Sequence, residues 1–127
     1  MTSHPLDKNE VLRVIRRAKS SHIRWRTFAQ AMVTGLPVEE EQAPVRHTEC
    51  QFGKWYYGQG KALLGHIDIF QDIETTHELL HHIYAQIFSL VQERKLSEAK
   101  ALYEELIGVS RTLLEQIDLL EEEVRSL

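Results

Sequence analysis

Residues 70–91 read FQDIETTHELLHHIYAQIFSLV, and this stretch decides the architecture. Phe70, Ile73, His77, Leu80, Tyr84, Ile87 and Val91 recur at alternating steps of three and four. That heptad-like spacing puts one apolar stripe on one face of a helix, which is expected to run from about Asp68 to Arg94. A strand would need alternation every second residue, and the stretch has none. The stripe also contains an imidazole, His77, in a position otherwise held by core side chains.

Two further stretches share the period. Val11, Ile15, Ala18, His22, Trp25, Ala29 and Met32 mark a helix from about Asp7 to Val33, with Asp7 as N-cap and Gly35 and Pro37 ending it. Ala99, Leu102, Leu106, Val109, Leu113, Ile117, Leu120 and Val124 mark a third, from about Glu98 to Arg125, with Ser97 as N-cap. Residues 35–47, GLPVEEEQAPVRH, read as a loop because two prolines and three successive glutamates do not suit a packed element. Residues 49–60 are expected to form a short helix that Gly58 and Gly60 end. Residues 61–67 then connect it to the next long helix, with at most one helical turn. The expected fold is therefore all-α: an antiparallel four-helix bundle with one short helix, in a single domain spanning residues 1–127. A shortened member leaves part of the core thinly covered, so a homodimer is expected.

Composition agrees with this and excludes several classes. Apolar residues make up 43% and charged residues 27% of 127 positions, ordinary values for a globular chain with its own core. One cysteine cannot make an internal disulfide, and the N-terminal residues contain no apolar leader. A cytoplasmic protein with no membrane span is expected. Residues 1–34 hold seven Lys/Arg against two Asp/Glu, whereas residues 96–127 hold three against eight. The two ends are expected to attract each other, within a chain or across a dimer, and the net charge of −4 gives no reason to expect nucleic-acid binding.

The histidines carry the chemistry. Of seven, His22 and His77 occupy apolar stripes, where an imidazole needs partners for both ring nitrogens. His77 and His81 are four apart in HELLH, so their rings leave one helix face at successive turns and can reach one tetrahedral ion. HELLH resembles the HExxH of zinc proteases, with Glu78 at the general-base position. A bundle offers no open cleft there, and no third protease ligand follows, so no enzyme is expected. A carboxylate-bridged di-iron bundle would need acidic residues on the inward face, and Glu74 and Glu78 do not share that of His77.

Cys50 opens the run CQFGKWYYGQG, residues 50–60. Its thiolate completes a closed set of His22, Cys50, His77 and His81. Sulfur with imidazole favours zinc, and four protein ligands suit a structural or sensing site rather than a catalytic one. A zinc-bound thiolate is also the form that oxidants attack, so Cys50 is expected to be redox-reactive. Trp25, Phe52, Gly53 and Trp55 are expected to pack around the site, with Tyr56 as a further anchor. His82, rotated about 100° from His81, and His47 are the alternative ligands to weigh, while His4 and His66 are expected in solvent.

The element C-x-F-G-x-W at Cys50, Phe52, Gly53 and Trp55, together with a mid-helix histidine before it and H-x-x-x-H after it, resembles the chemoreceptor zinc-binding domain, or CZB domain. The resemblance covers nearly the whole chain. It implies a cytoplasmic four-helix-bundle module that binds one zinc ion per subunit and dimerises, with ligands falling on His22, Cys50, His77 and His81. It further implies regulation of chemotaxis receptors or of cyclic-di-GMP synthesis by a diguanylate cyclase, in response to zinc or to oxidants such as hypochlorous acid. The chain departs from the commonest layout of the family in having no attached output domain, and so reads as a standalone module. A purely structural, zinc-stabilised interaction module is the alternative.

Overall fold

The computed structural model describes residues 7–36 and 51–127. Helix α1 spans Lys8–Val33, α2 Gln51–Trp55, α3 Lys61–Leu64, α4 Asp68–Gln92 and α5 Leu96–Arg125, and a π-helical turn, Tyr56–Gly60, joins α2 to α3. No strand occurs among the described residues.

The expected start of α1 is borne out: the Asp7 carboxylate accepts the Glu10 N–H at 3.1 Å, satisfying one of the free donors of the first turn. At the other end Gly35 takes φ +89°. Its N–H bonds to the Met32 carbonyl at 3.1 Å and the Leu36 N–H to that of Ala31 at 2.9 Å, the paired closure of a Schellman motif. The same closure ends α4. Arg94 N–H reaches the Val91 carbonyl and Lys95 N–H that of Leu90, with Arg94 held at φ +63° where glycine is usual.

That closure corrects one expectation. The chain leaves Lys95 directly into α5, so the helix begins at Leu96 and Ser97 lies inside its first turn instead of capping it. A second correction concerns residues 51–64. Gly58 and Gly60 do not end the short helix. Gly58 kinks it (φ −99°, ψ −105°), the turn widens, and helical structure resumes to Leu64. Gly60 is required by close approach: a Cβ there would lie 2.9 Å from the Trp55 ring.

Three long helices and the short run 51–64 form a helical bundle. Helix α5 packs along both α1 and α4, whereas α1 and α4 meet over a shorter stretch, and α2 touches α1. The core contains Ile15, Ala29 and Met32 from α1, Phe70, Ile73 and Ile87 from α4, and Leu106, Leu113, Ile117 and Leu120 from α5. The α5 stripe differs from expectation at its centre: Leu102 and Val109 are half-buried, and Ser110 takes a buried place. An α-helix turns 100° per residue, so a step of four from Leu106 deviates by about 40° and a step of three by about 60°.

The charge asymmetry resolves within one chain. Arg16 pairs with Glu121 at 3.1 Å, Lys19 pairs with Asp118, and the Lys8 ammonium donates to the Arg125 carbonyl at 3.0 Å, so α1 and α5 run antiparallel with basic against acidic residues. The basic partners reach into solvent, so water competes for these pairs and they stabilise the bundle little.

Candidate metal centre

Helix α1 contributes His22 and helix α4 contributes His77 and His81, all three buried. The four-residue spacing in α4 stacks two rings on successive turns, with centroids 4.6 Å apart and their Nε2 atoms 3.1 Å apart. The His22 ring meets that of His77 edge to face at 5.2 Å. One ring nitrogen from each of the three histidines lies within 4.8 Å of the others.

The tautomer of His22 follows from its backbone contact. Its Nδ1 lies 2.7 Å from the Ala18 carbonyl, an acceptor, so Nδ1 holds the proton and Nε2 holds the lone pair. That Nε2 is buried with no hydrogen-bond partner among the described residues. Burial also lowers the His22 pKa from 6.5 to about 4, so the ring is neutral at pH 7. A buried acceptor without a donor costs about 1–3 kcal/mol, which a cation would offset.

These residues fit a metal ion. Tetrahedral zinc with bonds of 2.0–2.1 Å brings neighbouring nitrogens to about 3.3 Å, close to the His77–His81 separation. Ligating imidazoles must be neutral, as His22 is. An imidazole ligand characteristically donates its other N–H to a carbonyl or carboxylate, which the Ala18 carbonyl provides.

Aromatic rings enclose the cluster. The Trp25 ring lies 4.4 Å from that of His22 and 5.1 Å from that of His81, spanning α1 and α4. Phe52 stands edge-on to His22 at 5.6 Å and to His77 at 5.1 Å. Behind it Trp55 stacks on Phe52 at 6.0 Å, Tyr56 stacks on Phe70 at 4.0 Å, and the Tyr56 hydroxyl donates to the Phe70 carbonyl. Gly53 is buried in the same segment.

Of the residues singled out in the sequence, the structure brings together His22, His77 and His81 with Trp25, Phe52 and Trp55. His66 and His82 are exposed, as are Glu74 and Glu78. The protease-like and di-iron readings therefore have no carboxylate facing the imidazoles from these positions. Cys50, His47 and His4 lie outside the described residues. The Ala18 carbonyl was not singled out, although its signal was present: a buried helical histidine lies four residues after the carbonyl that its Nδ1 can reach.

A helical bundle with a buried histidine triad fits a metal-binding domain, and no described helix is long and apolar enough to cross a membrane. A family model matches residues 22–88, slightly more than half of the chain, and the chain belongs to that family, the chemoreceptor zinc-binding domain. The family is a regulatory, zinc-binding one, and the matched segment includes all three buried histidines and Cys50. Comparison with curated proteins and with solved structures yields no significant match.

Proposed function

We propose that this chain is a cytoplasmic sensory domain in which His22, Cys50, His77 and His81 hold one zinc ion, and in which Cys50 is the ligand that responds. The observation that carries the reading is the unpartnered, buried Nε2 of His22 within reach of the His77 and His81 nitrogens. Cys50 is assigned by chain continuity. It precedes Phe52 by two residues, and the Phe52 ring stands against both His22 and His77. Its thiol would supply the soft fourth donor that suits zinc.

Bound zinc would hold the Cys50 sulfur as thiolate at neutral pH. The three imidazoles ride on long helices anchored in the core, while Cys50 adjoins the short run 51–64 with its widened turn. Hypochlorous acid would transfer its hydroxyl to the thiolate sulfur, giving a sulfenic acid and releasing chloride, and so weaken the fourth bond. Loss of zinc or oxidation of Cys50 then has the same consequence: the short run loses one of its ties to the bundle. A homodimer would pass that change to a chemoreceptor or a diguanylate cyclase.

The test is elemental analysis of the native protein beside Cys50→Ser, with amide exchange over residues 51–64 in the presence and absence of zinc. About one zinc per chain, less in the variant, and protection that rises with metal are expected. No zinc in either protein, or equal protection in both states, would sink the proposal. Unfolding of the whole bundle on chelation would instead favour a structural zinc module.

A further inference from the structure

Helix α5 supplies no imidazole, yet it is the surface against which the two histidine-bearing helices are set. Helices α1 and α4 both lie along α5 and meet each other less. The position of His22 relative to His77 and His81 therefore depends on how α1 sits on α5. Four polar contacts tie these helices, and three are exposed: Lys8 to the Arg125 carbonyl, Arg16 to Glu121 and Lys19 to Asp118. Water competes for exposed contacts of that kind, and they set a position weakly.

The fourth contact differs in burial. Arg26 donates to the Ser110 hydroxyl through both Nη2, at 3.0 Å, and Nε, at 3.3 Å. Ser110 is 2% exposed, and besides the three histidines it is the buried polar residue among those described. Removing its donor would leave a hydroxyl out of water and unpaired, so the pair resists separation more than a surface ion pair does. Arg26 sits one turn beyond His22, and it directly follows Trp25, whose ring spans His22 and His81.

Resting on the zinc-site reading above, we infer that Arg26 and Ser110 are positioning residues that fix the slide and rotation of α1 on α5 at the level of the site. A slip of one residue moves a helix by about 1.5 Å. Ligand distances tolerate only about 0.2 Å. A buried contact one turn from His22 controls that displacement more tightly than the exposed ones, for which water competes. The planar guanidinium, gripping one oxygen with two nitrogens, constrains rotation as well as distance.

Cobalt-loaded protein tests this, because its visible bands report ligand geometry independently of fold stability. Arg26→Met and Ser110→Ala remove one partner each and keep comparable helix propensity, and Arg16→Met is the control on the same pair of helices. Each single variant is expected to bind zinc about tenfold more weakly in chelator competition and to shift the cobalt bands. The double variant should lose no more than either single one. Arg16→Met should stay within twofold of the native protein with an unshifted spectrum. Unchanged affinity and spectrum in both Arg26→Met and Ser110→Ala, or an equal loss in Arg16→Met, would overturn the inference while the zinc site stands. Failure of the native protein to bind cobalt or zinc would overturn the site itself and this inference with it.

Discussion

The Nδ1 of His22 donates to the carbonyl of Ala18, one turn earlier on the same helix, at 2.7 Å. The contact turns the ring so that its lone pair at Nε2 faces the interior, where no described donor meets it. A residue that fills a core position in the sequence is thus left with an uncompensated acceptor, a cost on the bare fold that a cation at Nε2 would offset.

Substituting His22→Leu separates the two states. Without metal the variant should be as stable as the native protein or more so, by up to about 2 kcal/mol, since it removes a buried unsatisfied group. With zinc the native protein should gain thermal stability and the variant should gain little or none. Melting curves of chelator-treated and zinc-loaded samples check this, and a full zinc-induced rise in the variant would contradict the assignment of His22.

Acid should destabilise the metal-free protein through the same ring. Folded His22 stays neutral, refusing a second ring proton, down to about pH 4, whereas in the unfolded chain it titrates near the ordinary 6.5. Between those values the unfolded state binds the proton and the folded state does not, so the contribution is complete above pH 6.5 and is lost as the pH falls toward 4. The loss amounts to roughly 3 kcal/mol at its limit. Urea unfolding of metal-free protein at pH 7 and pH 4.5 should show it, and His22→Leu should flatten the slope.

Two glycines should respond in opposite directions to alanine. At Gly60 the new methyl would meet the Trp55 ring at 2.9 Å and the Trp55 carbonyl oxygen at 3.0 Å, so Gly60→Ala should cost about 1–3 kcal/mol. At Gly108, within α5, nothing lies within 4 Å, and Gly108→Ala should stabilise by about 0.5–1 kcal/mol. Chemical denaturation of both variants measures the contrast.

Tyr56→Phe removes the hydroxyl bonded to the Phe70 carbonyl but keeps the ring stacked on Phe70. A loss of about 0.5–1.5 kcal/mol is expected. Amide exchange should become faster mainly in residues 51–64, because that bond ties the short run to α4. Faster exchange spread evenly over α1 and α5 would argue against such a tie.

The long helices were legible because each buries one stripe for some 25 residues, and a periodic signal of that length outweighs local irregularity. His22 and His77 stood out for the same reason, as polar residues in apolar positions. The glycines of residues 58–60 misled because glycine marks helix ends, kinks and close contacts alike. Gly58 marks a kink and Gly60 a close approach, and only the position of the Trp55 ring, a tertiary fact, reveals the latter. Ser97 misled because the Schellman closure at Arg94 and Lys95 left no residue for a separate cap. Ser110 was hidden: a lone serine one step from the expected stripe carries no signal until Arg26 is seen across from it.

The π-helical turn at Tyr56–Gly60 makes the length of its segment matter. Gly58 leaves helical geometry inside it, with φ −99° and ψ −105°, so the helical path is interrupted there. Deleting a residue from that interruption would rotate everything before it by about 100° relative to everything after. Phe52 would then leave the imidazoles while α3 stayed in place. Most surface connections absorb insertions and deletions freely, but this one behaves as a counted spacer, in which chain length itself specifies which side chains reach the metal centre.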